Sequence, residues 1–378
     1  MDDFVLAREG QTSIYVPNLR KHSLYSAPVF YNPDMEKNRT LSVLLLKAVG
    51  RGGLTICEPL AGTGVRGVRY AVESGAVGRL VLNDISKRAV ELIRKNLALN
   101  GVEGEVYNED AGVLLLKLRG ECDVVDIDPF GSPAPYLQAA FRAAREGGII
   151  CATATDTAVL VGRYQRKCLR RYGSIIQKTP FYIEVGVRNL LGHMARVAAS
   201  EDYAIYPLFS YWERHYFRTC VHVESGARDA DDMLSKIGHV EYVGGVRRVR
   251  RRPTGHTSGP LWVGALGDPL VVHKMSQFGP HGDFLSLLEG EYAVDTPWFF
   301  RLAEFAVGGK SPTLGEALQF LRESGIYAVR THMASDGFKT EASYGEVRRV
   351  LKGHPRGGDG QKDNSGGGAA GQWENHSG

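Results

Sequence analysis

Leu54-Thr55-Ile56-Cys57-Glu58-Pro59-Leu60-Ala61-Gly62-Thr63-Gly64-Val65-Arg66-Gly67 is the stretch that decides the fold. A short apolar run ends on an acid, a glycine-rich turn follows, and the residues beyond the turn have helical character. The same pattern then repeats. Residues 80–82 end at Asn83-Asp84 and lead into strong helix formers through Leu99; Val106-Tyr107 leads to Glu109-Asp110; residues 123–127 lead to Asp128-Pro129; residues 148–154 form a fifth, wholly apolar run. Short apolar strands alternating with helices predict a parallel sheet covered on both faces. The acids fall where strands end, which is where open α/β sheets bind ligands. Residues 203–210 and 216–223 read as two further strands with too little chain between them for a helical crossover. They predict an antiparallel hairpin.

Outside this core the chain has room for a second unit, because 378 residues exceed the usual size of one domain. The boundaries expected are 1–265 for the sheet domain with an N-terminal segment shaping the substrate pocket, 266–352 for a smaller α+β domain, and 353–378 for a disordered tail rich in Gly, Ser and Asn. A net charge of +4 permits an anionic partner but is too small to establish one. Met1-Asp2-Asp3 does not open a signal peptide, and no uncharged apolar stretch reaches the roughly 20 residues of a membrane span. A soluble, cytoplasmic, monomeric protein is therefore expected. The five cysteines, Cys57, Cys122, Cys151, Cys168 and Cys220, show neither a metal-ligand spacing nor a disulfide pattern, and several sit in apolar runs as small hydrophobes do.

Gly62-x-Gly64-x-x-Gly67, with Asp84 beyond it, admits two cofactors. A nicotinamide dinucleotide would place its pyrophosphate on the helix start. S-adenosylmethionine has no phosphate, and an acid before the loop, here Glu58, would help place its charged methionyl end. Asp84 would then accept hydrogen bonds from ribose hydroxyls and Asp110 from the adenine amine. Each of these two carboxylates could equally be a helix N-cap, since both precede helical stretches.

Asp128-Pro129-Phe130-Gly131 is similar to the Asp/Asn-Pro-Pro-aromatic signature of enzymes that methylate ring-conjugated amines. Such an amine is a poor nucleophile because its lone pair is delocalised. A carboxylate accepting one N–H and the Pro129 carbonyl accepting the other would turn the lone pair towards the methyl group, with Phe130 stacked on the base. Asp-Pro is also a common turn pair.

Over nearly all of residues 9–352 the chain resembles the tRNA guanine N2,N2-dimethyltransferases that act at tRNA position 26. The resemblance rests on Glu9-Gly10, Val29-Phe30-Tyr31-Asn32-Pro33, Asn38-Arg39, the glycine loop, Asp126-Ile127-Asp128-Pro129-Phe130-Gly131-Ser132-Pro133, Thr153-Ala154-Thr155-Asp156, Gly259-Pro260-Leu261-Trp262, Arg330-Thr331-His332 and Lys339-Thr340. It implies a class I methyltransferase, that is, a Rossmann-like, mostly parallel seven-stranded sheet with an antiparallel last strand. It also implies S-adenosylmethionine as cofactor, tRNA as substrate, Asp128 as the catalytic carboxylate, and Phe30 and Phe130 around the guanine. Arg39, Arg66, Asp84, Asp110 and Ala111 would surround the cofactor. Without the resemblance, Phe30 reads as a core aromatic and Arg39 and Arg66 as solvated surface charges.

The chain departs from the family at two places. Where members often carry zinc cysteines, it has Gly244-Gly245-Val246-Arg247-Arg248-Val249-Arg250-Arg251-Arg252, which predicts a metal-free ribbon held by strand pairing. Where members often have His-Glu, it has Ile183-Glu184. Arg163, Arg166, Lys167, Arg170 and Arg171 follow helical spacing and predict one cationic face, with Arg247–Arg252 as a second cluster, both suited to RNA phosphates. A stacked guanine would have to be extruded to reach the methyl group. Three other readings stay open on residues alone: an NAD-dependent oxidoreductase, a non-catalytic RNA-binding protein, and a DNA adenine or cytosine amine methyltransferase.

Overall fold

The computed structural model describes residues 3–23, 26–306 and 312–353; the expected tail beyond Gly353 lies outside them. An N-terminal hairpin, β1 (Phe4–Glu9) and β2 (Thr12–Pro17), and the helix α1 (Glu36–Val49) precede the sheet. The alternating pattern then runs β3 (Leu54–Glu58), α2 (Val65–Arg69), β4 (Val77–Asn83), α3 (Lys87–Leu99), β5 (Glu105–Tyr107), α4 (Ala111–Lys117), β6 (Cys122–Ile127), α5 (Leu137–Ala143) and β7 (Ala144–Ala154). Three helices follow, α6 (Thr157–Leu160), α7 (Gln165–Tyr172) and α8 (Tyr182–Ala199), before the hairpin β8 (Tyr203–Glu213) and β9 (Tyr216–Ser225). Sheet order is β5-β4-β3-β6-β7-β9-β8, with β9 antiparallel to both neighbours. The seven strands, the parallel core and the reversed end agree with the sequence expectation.

Local chemistry sets the helix starts. Ser86 caps α3 by accepting from the Ala89 N–H, and Asp110 caps α4 by accepting from the Val113 N–H at 3.1 Å. Ile93 and Leu97 bury one stripe of α3 in the sheet core, while Ala89 and Leu92 pack against Val29 beside it. Asn83, fully buried at the end of β4, donates to the carbonyls of Pro59 (2.9 Å) and Glu109 (3.0 Å), and so ties together the loops that follow β3 and β5. This one side chain fixes the spacing of the ligand-facing strand ends.

Four cysteines are paired, which overturns the reading that no disulfide pattern exists. Cys57 on β3 bonds Cys122 on β6, and Cys151 on β7 bonds its register partner Cys220 on β9. All four are buried as small hydrophobes should be, but the partners lie 65 and 69 residues apart and only the sheet brings them together. Closing loops of that length stabilises by about 2–4 kcal/mol each. Unfolded without reductant, the chain should therefore titrate a single thiol, from Cys168. Reduction should lower Tm by roughly 10 °C. Five thiols before reduction, or an unchanged melt, would remove the bridges.

The helices Pro269–Ser276 and Gly282–Tyr292 bury Val272, Met275, Leu285 and Leu288 in the same core as the sheet. A second, smaller core begins only at Phe300 and gathers Phe305, Leu321, Phe338 and Val347. Two of the quoted motifs join it to the sheet domain. His332 contacts Glu291 through Nδ1 at 2.7 Å and accepts from the Trp212 backbone N–H through Nε2 at 3.1 Å. Lys339 donates to the buried Glu184 at 2.8 Å, where Arg188 also donates. Glu184 thus holds the C-terminal unit in place.

The cysteine-free ribbon is held by antiparallel pairing of Ile237–Val243 with Val246–Arg250 and with Thr257–Trp262. Arg247 does not join an RNA-facing cluster as its neighbours suggest. It is buried, forms a two-pronged pair with Glu304 (2.6 Å twice) and lies 4.2 Å from the Phe300 ring centroid. Among the described residues no helix is long and apolar enough to cross a membrane.

Candidate active site

At the carboxyl ends of the parallel strands lies a cavity of about 360 Å³, within the range of small-ligand pockets. Phe30, Arg39, Glu58, Gly62 and Arg66 line one part of it, and Asp128, Pro129 and Phe130 another. The glycine turn shapes the wall. Gly64 has φ +75°, a left-handed conformation that a side chain would strain. A Cβ on Gly67 would come within 2.5 Å of the Leu82 side chain and 3.0 Å of the Glu58 carboxylate, so any larger residue would displace one or both.

Phe30 is 45% exposed rather than in the core, and its ring stands 5.9 Å from that of Phe130, edge-on at 65°. The two aromatics frame the Asp128 carboxylate. A turn of hydrogen bonds supports it: the Gly131 N–H donates to Thr155 Oγ1 (2.8 Å), and the Thr155 N–H donates back to the Gly131 carbonyl (2.8 Å). This is the structural work of the Thr153-Ala154-Thr155-Asp156 motif.

Arg39 and Arg66 are not surface charges; they are 5% and 2% exposed. Arg39 forks onto Glu9 (2.5 and 2.6 Å), which also receives Arg69 (3.0 Å) and the Tyr31 hydroxyl (3.0 Å). Burial pushes the Glu9 carboxyl up, but the hydrogen bonds and charges of Arg39 and Arg69 prevail and hold it below its usual range. The N-terminal hairpin thereby anchors the pocket wall through one carboxylate. Arg66 donates to Asp128 and to Ser42 Oγ (3.2 Å), and lies 3.7 Å from both Glu58 and Asp126.

Asp126 and Arg218, neither given a role by the sequence reading, complete this buried cluster. Arg218 donates to both Asp126 oxygens (2.8 and 2.7 Å), and the Tyr70 hydroxyl adds a third bond at 2.5 Å. Burial alone would raise the Asp126 carboxyl, yet the Arg218 and Arg66 charges with these hydrogen bonds hold it at about 2. Glu58 is the opposite case. Burial pushes it up; Arg66 opposes the shift, Asp126 and Asp128 reinforce it, and the carboxyl sits at about 8. Two signals point to the cluster in the sequence. Asp126 is the last acid on β6, two residues before Asp128 just beyond the strand's end, and a lone arginine in the apolar strand β9 requires a buried counter-charge.

Asp84, Asp110, Ala111 and Gly64 lie outside the cavity lining but along the same row of strand ends. Asp84 accepts from the Gly62 N–H and the Ser86 N–H, each at 2.9 Å, so it braces the glycine turn rather than capping α3. Burial raises its carboxyl, against those two hydrogen bonds. Asp110 does cap its helix, and Ala111 is the buried first residue of α4. Asp128, Glu58, Asp84 and Asp110 follow four adjacent strands, β6, β3, β4 and β5. At the usual strand spacing that row spans roughly 14 Å, enough for a nucleoside joined to an amino acid.

A family model for the N2,N2-dimethylguanosine tRNA methyltransferases matches residues 10–352. A tRNA (guanine(26)-N(2))-dimethyltransferase of Pyrobaculum calidifontis is 66% identical over 93% of this chain and 99% of its own length. One from Methanothermobacter thermautotrophicus is 36% identical over 92% of this chain and 99% of its own. The complex of Trm1 from Pyrococcus horikoshii with S-adenosyl-L-methionine superimposes with a TM-score of 0.84 at 32% identity, covering 92% of this chain and 99% of that one.

Proposed function

The chain belongs to the N2,N2-dimethylguanosine tRNA methyltransferase family, and we propose how its residues divide the reaction, the transfer of methyl groups from S-adenosylmethionine to the exocyclic N2 of guanine 26 in tRNA. When bound, S-adenosylmethionine supplies an electrophilic methyl on its sulfonium. Glu58, Arg39 and Arg66, all lining the cavity, hold the charged methionyl end. Gly62 and Gly64 keep the turn open for it. Asp84 has lone pairs left for the ribose hydroxyls after bracing the turn, and Asp110 with Ala111 receives the adenine.

The observation that carries the reading is Asp128-Pro129 in a cavity framed by Phe30 and Phe130, beside the Glu58–Gly62 turn. A guanine held by the two rings would present its amine to the Asp128 carboxylate and the Pro129 carbonyl. Each transfer replaces one N–H by N–CH3, and Asp128 is the acceptor facing the departing proton. The reacting base leaves its stack to enter, and the C-terminal unit grips tRNA away from the cavity. We place the enzyme in the cytoplasm as a monomer.

The test is incubation with unmodified tRNA transcript and S-adenosylmethionine, followed by nucleoside mass spectrometry. N2,N2-dimethylguanosine is expected. Bound cofactor without any modified guanosine would overturn the substrate assignment.

A further inference from the structure

A second cavity, of about 580 Å³, lies between α7, α8 and the segment after the Asp128 loop. Lys167 and Arg170 line it from α7, Ala134 and Pro135 from the segment after the loop, and His193 from α8. The predicted single cationic face is divided here. The helix starts only at Gln165, so Arg163 precedes it and lines a different groove, while Lys167, Arg170 and Arg171 open into this one.

The electrostatics are unbalanced. Among the described residues Lys167, Arg170 and Arg196 form no ion pair. The carboxylates nearby are already engaged: Asp156 with Arg171 (2.9 Å) and Tyr172 (2.7 Å), and Glu201 with Arg142 (2.8 Å) and Gln138 (2.7 Å). Among the described residues Arg196 donates only to the carbonyls of Tyr172 and Pro260. Burial, and then the charge of Arg196, push His193 down to about 4, so it is a neutral hydrogen-bonding ring at physiological pH. A concave site with uncompensated cations and a neutral imidazole suits an oxyanion.

The pocket is also wired to the catalytic loop. The Tyr172 hydroxyl, at the end of α7, is 2.6 Å from Ser132 Oγ, and Asp156, which holds both Tyr172 and Arg171, donates its N–H to the Gly131 carbonyl (3.3 Å). The loop that carries Asp128 and Phe130 and the helix that carries the free cations are thus one hydrogen-bonded unit.

We propose that the pocket beneath α7 binds a backbone phosphodiester of the RNA strand that carries the target guanine, next to the loop that receives the extruded base. The proposal rests on RNA being the substrate. The exposed cations continue along α7 to Arg166, beside exposed Tyr164, which fits a chain of phosphates better than a single free anion.

The experiment compares wild type, Lys167→Gln/Arg170→Gln, and the control Arg88→Gln/Lys95→Gln on the exposed face of α3, by filter binding of unmodified tRNA transcript across a salt series. The pocket variant should bind about tenfold or more weaker at moderate salt, with the slope of log K against log salt reduced by about 0.7–0.9, the value for one phosphate. Its Tm and cofactor affinity should match wild type. The control should change less than about threefold. A wild-type slope in the pocket variant, or equal losses in both variants, would overturn a built subsite. Failure of the tRNA-methylation reading would show separately, as absence of dimethylguanosine from wild type.

Discussion

Replacing Asp128 with alanine should lower kcat for guanine methylation by about 10²–10⁴ while cofactor affinity stays within a few-fold. The size follows from what is removed, a positioned acceptor for the amine proton. Glu58, Asp84 and Asp110, the acids proposed to face the cofactor, lie on the neighbouring strands and keep their side chains in this variant. Asp128→Asn is the more instructive variant. Its amide keeps one acceptor oxygen and the turn geometry that Pro129 fixes, but loses the charge. Since asparagine occupies this place in related amine methyltransferases, we expect the order wild type, then Asn, then Ala. Single-turnover assays with saturating tRNA read the chemical step directly. Activity of the alanine variant within tenfold of wild type would mean that Phe30, Phe130 and the Pro129 carbonyl orient the amine without the carboxylate. Arg66 loses the charge of its nearest partner in either variant, so Tm must be recorded alongside, to separate loss of chemistry from loss of the pocket wall.

The strand-end acids could be read from the sequence because each is local: an apolar run, then Glu58, Asp84, Asp110 or Asp128. The hairpin β8–β9 was equally plain, since chain length alone forbids a crossover. What sequence reading misses is burial of charge. Arg39 and Arg66 look like solvated residues because the carboxylates that neutralise them, Glu9 and the Asp126–Asp128 pair, come from other elements. The same holds for Arg247, whose partner Glu304 is 57 residues away, and for the disulfides. In each case the signal is pairwise and long-range, whereas propensity and periodicity are short-range. Phe30 fails differently. Residue by residue, an aromatic in an apolar stretch reads as core; the family resemblance points the other way, and its place in the cavity lining, edge-on to Phe130, agrees with the resemblance.

The buried cluster around Asp126 yields the largest expected effect on stability. In the free protein two guanidiniums, Arg66 and Arg218, face Asp126 and Asp128, and Glu58 is protonated near neutrality with its carboxyl at about 8. Asp126→Asn leaves both arginines buried with one carboxylate too few. Breaking such a pair costs about 3–5 kcal/mol. Part of that is recovered: burial is the main cause of the raised Glu58 carboxyl, but Asp126 adds to it, so without Asp126 the Glu58 carboxyl shifts down and ionises more readily beside the two arginines. The pH dependence tests this. Glu58 is raised from 4.5 in the unfolded chain to about 8 in the fold, so between those values the folded state holds more protons. Its contribution to stability is complete below pH 4.5 and is lost as pH rises through about 8. In Asp126→Asn that loss should shrink, and in Glu58→Gln it should vanish. The double variant cannot recruit Glu58, so its destabilisation at pH 8 should exceed the sum of the single changes by about 1 kcal/mol or more. Urea unfolding of the four proteins at pH 5 and pH 8 measures every term. Additive costs with an unchanged pH slope would show that Glu58 does not share its proton with the cluster.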